Sequence, residues 1–393
     1  MFVSSQKELD SLVEQLSSSP VLTLDTEFAA ERRYFPRFDL LQLGDAQRAA
    51  AIDMHADINL GPLFELLSHP ERMVVVHGGN QDMALLFRRM GRLPSRVFDT
   101  QTAAAFVGFG HMVGYAPLVK KVLGKVLSKT ESLTDWSRRP LKAEQLEYAL
   151  DDVRFLFPLY EELRSRLDAA QRMDWLFEEM ERLYHPSRFL MPEPRERWRR
   201  TLGWTNLSPR QLAVLRELAA WRELQAARTD VPARVVLPDD VMTNLSRRTP
   251  SHLKELREIR QIYDRTVAES GHDILAAIRR GLEVTDLSEF DRSLGELEQP
   301  HYGSAVSFMD AVIQLRAETL GMSAALLATV PDLEGLVRAW CDGRILPSLF
   351  AKGWRTEHVL PWLELAWKGS LSLRLDPGTG RVILEEGARP EVP

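Results

Sequence analysis

Apolar and polar positions along the first third of the chain alternate between two periods. Val21–Leu24, Leu40–Leu43, Ala50–Met54 and Met73–Val76 are short apolar runs bounded by turn-formers, the pattern of buried strands. Between and after them the spacing changes to that of helices, predicted at Leu60–Ser68, Asp82–Met90 and Pro117–Leu123, and from Leu141 onward. Three strands before the first long helix predict an antiparallel meander joined to parallel strands, hence a mixed sheet in an α/β domain. The last helix carries Leu146, Ala149, Leu150, Val153, Leu156 and Phe157 on one stripe, and Pro158 is expected to kink it.

Pro residues at 186, 192 and 194 break the pattern, and the residues beyond them read as purely helical. Ser208 and Pro209 are an N-cap and first helical residue for a run ending near Arg222. The pattern predicts domains at 1–185 and 207–290, a linker at 186–206, and a further helical domain at 291–393. Phe308–Arg316 echoes Leu215–Arg222, and Leu326–Leu333 echoes Val235–Val241, as an internal repeat would.

Composition narrows the class. A chain of 393 residues with 45% hydrophobic and 27% charged residues is that of an ordinary globular protein of more than one domain. No apolar run is long enough to span a bilayer, the N-terminus lacks the blocks of a signal peptide, and the expectation is a cytoplasmic protein without a membrane partner. One cysteine, Cys341, excludes an intrachain disulfide and a Cys-based zinc site. The net charge of −6 argues against broad nonspecific binding of nucleic acid, so any such binding relies on local patches. Lys120, Lys121, Lys125, Lys129, Arg138, Arg139 and Lys142 make one; Arg195, Arg197, Arg199 and Arg200 make another. Each also reads as a solvated face.

The chemistry lies in three separated acidic segments. Asp25 and Glu27 end the first strand, two apart and therefore on one side of it. Asp82 falls in the first turn of a helix that His77, Gly78 and Gly79 introduce and Asn80 would cap. Tyr148 and Asp152 are four apart on the third helix and share a face, with Asp151 about 100° away from Asp152. Taken singly, each has an ordinary reading as a strand end, a helix-dipole partner or a solvated face. Taken together, four carboxylates without His or Cys are the ligand set of hard divalent cations, and a pair of such ions about 3.5–4 Å apart attacks phosphodiesters.

In order and spacing the three segments resemble the DEDD superfamily of 3′→5′ exonucleases, in the branch with Tyr four residues before the last Asp. Leu41–Gly44 and Leu133–Leu141 add a more specific resemblance to the ribonuclease D family. The helical part resembles the HRDC domain named after helicases and that family. The resemblance implies a mixed-sheet, RNase H-like exonuclease domain followed by one or two all-α HRDC-like domains. It implies two divalent cations, Mg²⁺ or Mn²⁺, with Asp25 bridging, Glu27 and Asp152 completing the first site and Asp82 the second. Tyr148 would orient the attacking water. Phe28, Gln42, Lys120, Lys121, Arg138 and Arg139 are candidate substrate contacts, with a core position as the alternative for Phe28. The implied partner is RNA with a free 3′ end, such as a tRNA precursor, trimmed to nucleoside 5′-monophosphates by a monomeric enzyme. A DNA exonuclease and a non-catalytic RNA-binding adaptor are the competing readings. The complete carboxylate set and Tyr148 weigh against the adaptor.

Overall fold

The computed structural model describes residues 1–29, 32–127, 134–290 and 302–386. Lys129 and Leu133 of the sequence motifs lie outside them.

Six strands form one mixed sheet in the order β1-β4-β3-β2-β5-β6, with β1 Phe2–Val3, β2 Val21–Ala29, β3 Arg37–Gly44, β4 Ala49–Asp53, β5 Met73–Val76 and β6 Arg96–Asp99. Strand β3 runs antiparallel to β4, whereas β2, β5 and β6 are mutually parallel, as the strand spacing predicts. Every residue of β5 is buried, which explains its unbroken apolar run. In this sheet the apolar spacing does not mark β1, which has two residues, or β6, which begins with the exposed Arg96.

The helices of this sheet domain are α1 Gln6–Leu16, α2 Gly61–Ser68, α3 Asn80–Met90, α4 Thr100–Phe106, α5 Tyr115–Leu123, α6 Ala143–Arg154, α7 Leu156–Ala169 and α8 Met173–Leu183. A capping box of Ser5 and Glu8 starts α1. The cap of α3 is Gly79, and Asn80 is its first helical residue without a capping hydrogen bond, which corrects the cap expected at Asn80. Pro158 does not kink one helix; it separates two. It is the third residue of α7, and α6 stops at Arg154, the residue whose carbonyl the proline ring would strike in a continuous helix.

By compactness the chain divides into two units. The first holds Met1–Glu27, Phe38–Phe189 and Pro300–Pro393. The helices after 302 share the core of the sheet domain: Val306, Met309, Leu333, Leu336, Phe350 and Trp354 belong to the same apolar cluster as Leu22, Val74 and Leu163. The sequence pattern predicts a separate module at 291–393 instead, because amphipathic stripes do not say what covers them. Arg355 and Glu179, both nearly fully buried, form an ion pair within this unit, and Arg355 also donates to the carbonyls of Leu326 and Leu327.

The second unit holds Phe28–Arg37 and Leu190–Gln299. Its spine is α9, Pro209–Thr229, capped by Ser208 and Gln211 and begun by Pro209 as its sequence predicts. The helix Asp264–Leu282 packs so closely that a Cβ on Gly281 would lie 2.4 Å from the Val214 Cα. Within the same unit Tyr34 donates to Glu223 (2.7 Å), Arg33 pairs with Asp230, and the Phe35 amide donates to Asp230 (3.0 Å). Ion pairs also occupy three cations of the 195–200 patch: Arg195 with Glu217, Arg197 with Glu223, and Arg199 with Glu196. No described helix is long and apolar enough to cross a membrane.

Candidate active site

The site lies at the carboxyl ends of the parallel strands β2 and β5, where α/β sheets place their ligands. Strand β2 runs on past Leu24 to Ala29, so Asp25 and Glu27 are strand residues pointing to one face. Helix α6 lies against β4 and brings Asp152 to that face. One carboxylate oxygen each from Asp25, Glu27 and Asp152 falls within 4.8 Å of the others. Asp82, in the first turn of α3, is buried, and its carboxylate accepts a 2.5 Å hydrogen bond from Thr26, the residue between Asp25 and Glu27. Thr26 thus ties the second acidic segment to the first, a contact that no spacing rule reveals.

Four carboxylates gathered this closely and buried disfavour one another's charged forms. Burial first, then the charges of Asp82, Asp152 and Glu27, push Asp25 well above the usual carboxylate range. Burial and the charges of Asp152 and Asp82 raise Glu27 to about 8. Burial and Asp151 raise Asp152 to about 7; burial raises Asp82 to about 6 against the Thr26 hydrogen bond. Carboxylates so shifted favour a nearby positive charge, and an all-oxygen donor set of this size suits a hard divalent ion. Tyr148 and Asp152 line one open groove together with Asp151, Glu144, Glu147 and Leu127. Burial and the charges of Asp152, Glu27 and Asp25 hold the Tyr148 hydroxyl above its ordinary value, so it stays protonated. Asp151 does not join the trio and pairs with Arg154 at 2.5 Å.

The surroundings of the four acids are built to hold them. Asp99 accepts from the amide of Gly78, whose φ of +65° makes the turn before α3, and from Tyr184 at 2.5 Å. His77 engages Thr100 through Nδ1 (2.9 Å) and the Val113 carbonyl through Nε2 (3.0 Å). Trp136 is buried with its ring 6.2 Å from that of Tyr148. Asp99 and Tyr184 gave no sequence signal beyond an Asp preceding an apolar helix, the N-cap pattern.

The expected substrate contacts divide. Lys120, Lys121 and Arg138 are exposed; Lys121 stands over the Phe109 ring and Arg138 pairs with Asp135 at the surface. Phe28 is half-buried. Gln42 is fully buried, so direct contact with substrate does not fit its position. Arg139 is corrected likewise: it grips Asp53 with two nitrogens and donates to the carbonyls of Trp136, Arg138 and Asp39. Its work is to fasten the loop that carries Trp136.

Fold and site together define a 3′–5′ exonuclease: the model of that family matches residues 1–168, and the HRDC domain model matches 211–278. The chain is 34% identical over 385 residues to a ribonuclease D from Nitrobacter hamburgensis, covering 96% of this chain and 97% of that one. It is 37% identical over 344 residues to a ribonuclease D from Pseudomonas paraeruginosa, covering 87% and 90%. The crystal structure of Escherichia coli RNase D, described as an exoribonuclease involved in structured RNA processing, superposes with a TM-score of 0.82 at 28% identity, covering 94% of this chain and 98% of that one. The chain belongs to the ribonuclease D family, and is a 3′→5′ exoribonuclease of the divalent-metal-dependent DEDD type.

Proposed function

We propose that this enzyme trims the 3′ ends of structured RNA precursors such as tRNA, as a monomer, by two-metal-ion hydrolysis that releases nucleoside 5′-monophosphates. The observation that carries the reading is the convergence of Asp25, Glu27 and Asp152, with Asp82 close enough to raise the pKa of Asp25. The first three would hold one Mg²⁺ or Mn²⁺, and Asp82, sharing Asp25, a second. Bound ions supply the positive charge that activates water and offsets the negative charge on the departing oxygen.

The protein's own groups do the remainder. Tyr148, held protonated and backed by Trp136, orients the attacking water through its hydroxyl and is no general base at neutral pH. The exposed Lys120, Lys121 and Arg138 draw in the phosphate backbone, and Phe28 stacks on the terminal base. The structured RNA substrate is supported by the likeness to the Escherichia coli enzyme.

The test is digestion of a tRNA precursor with a 3′ extension, and of RNA and DNA oligonucleotides of one sequence, labelled at either end. Expected are 5′-mononucleotides from the 3′ end of RNA, and silence in excess EDTA. Activity that persists in EDTA overturns the metal mechanism. Equal rates on DNA overturn the preference for RNA.

A further inference from the structure

Gln42 sits in the middle of β3 with no exposed surface, and neither its Nε2 nor its Oε1 has a hydrogen-bond partner among the described residues. Burying a carboxamide this way opposes folding, and an apolar side chain of similar volume avoids the penalty. A polar group kept under those conditions calls for a specific explanation.

The position of Gln42 supplies one. It pairs with Ala51 across the β3–β4 ladder, and Ala51 packs with Leu40, Trp136, Ala149 and Leu150 on the face covered by α6. Residues opposite each other in a ladder share a face, so Gln42 points to the side from which Asp152 and Tyr148 approach. Strands β2 and β3 are neighbours joined by only seven residues, too few for a parallel crossover, so they run antiparallel. Gly44 lies against Thr23, because a Cβ on Gly44 would meet the Thr23 Oγ1 at 2.9 Å. Stepping two residues along each strand from that pair places Gln42 directly across from Asp25. Side chains so paired have Cβ atoms about 4.5–5.5 Å apart, within reach of a carboxamide. The Thr23 Oγ1, on the same face, is also buried without a partner.

We propose that Gln42 is a positioning residue for the exonuclease reaction: its carboxamide, unpartnered among the described residues, is the donor that engages the Asp25 carboxylate when the divalent ion is bound and holds it in the ion-binding orientation. The proposal rests on the metal-binding reading of Asp25, Glu27, Asp82 and Asp152. A neutral donor suits this place. It steadies one carboxylate of a crowded anionic group and adds no charge to compete for the others. Such supporting hydrogen bonds typically govern metal affinity by 10–100-fold.

Full-length Gln42→Leu and Gln42→Met are compared with wild type by urea unfolding without metal, by calorimetric titration of Mn²⁺ without RNA, and by steady-state kinetics on an oligoribonucleotide. Expected is a urea midpoint equal to or above wild type in at least one variant. In that variant Mn²⁺ affinity falls by about tenfold or more, and kcat falls with KM for RNA unchanged. Gln42→Asn, which keeps a shorter carboxamide, recovers part of the loss. Wild-type Mn²⁺ affinity and kcat in a stable variant overturn the proposal. So does loss of stability in both apolar variants, because the amide would then be holding the fold. Wild-type protein that binds no Mn²⁺ overturns the metal reading itself, a result separate from any effect of position 42.

Discussion

At the scale of single residues, the adjacent Asp151 and Asp152 make the sharpest contrast. They differ by about 100° around α6, and that rotation sends one to Arg154 and the other to Asp25 and Glu27. Asp152→Asn is expected to lower kcat by several orders of magnitude and to weaken Mn²⁺ binding. Asp151→Asn removes only a surface ion pair with Arg154, so it should alter stability by no more than about 1 kcal/mol and change Mn²⁺ affinity far less than Asp152→Asn does. Tyr148→Phe keeps the metal affinity and lowers kcat. Turnover and calorimetry on the three proteins check the set. An active Asp152→Asn would place the ion elsewhere.

The raised carboxylates also set a pH dependence. Each prefers its protonated form in the folded protein, so the folded state holds more protons than the unfolded one between the unfolded value near 4 and the folded values. Stability of the metal-free protein therefore falls as pH rises from about 4 through about 6 for Asp82, about 7 for Asp152 and about 8 for Glu27. A divalent ion that displaces those protons should raise the melting temperature more at pH 8 than at pH 6. Melting curves with EDTA or MnCl₂ at both values test this. An equal shift at both removes the linkage between proton and ion.

At the scale of elements, the loop before α6 matters more than its charges suggest. Arg139 joins Asp53 at the end of β4 to the loop bearing Trp136, and both partners are largely shielded. Hydrogen bonds to charged groups of this kind contribute roughly 1.5–3 kcal/mol. Arg139→Ala should lower unfolding stability by that order and reduce kcat through Tyr148, without changing how KM depends on salt. Lys120→Ala with Lys121→Ala should do the reverse: stability holds, and KM loses part of its salt dependence because phosphate contacts release counterions. A shallower salt slope in Arg139→Ala would restore it as a phosphate contact. Pro158 carries a related lesson. Its effect was legible as an interruption, but a clean break into α6 and α7 rather than a bend depends on what each half packs against.

At the scale of the whole chain, the exonuclease residues up to Phe189 do not complete their own core. All four acids lie before residue 185, which suggests from sequence that the helical parts are auxiliary. Yet Val306, Met309, Leu336, Phe350 and Trp354 belong to the first unit's core, and Arg355 is the buried partner of Glu179. A fragment ending near Arg200 is thus expected to bind a hydrophobic dye and to lack cooperative unfolding. Arg355→Ala, which leaves Glu179 buried with only the half-exposed Arg182 beside it, should cost about 3–5 kcal/mol in urea unfolding. A fragment that unfolds cooperatively with full activity on a short oligonucleotide would show the sheet domain to be self-sufficient.

The sequence by itself determined the local chemistry: which runs are strands or helices, that Asp25 and Glu27 share a side, and that Tyr148 and Asp152 share a face. These follow from periods of two and 3.6 residues, and the acidic residue types limit the ligand to a hard cation. What only the tertiary structure decided were pairings between distant segments. Thr26 meets Asp82, Asp99 fixes Gly78, Arg139 is spent on Asp53, and Gln42 lies fully buried without a hydrogen-bond partner among the described residues. It also decided that the helices after 302 cover the sheet domain. An amphipathic stripe states that a face will be buried and carries no address for its partner. A polar side chain likewise does not announce whether solvent, another strand or an ion will satisfy it.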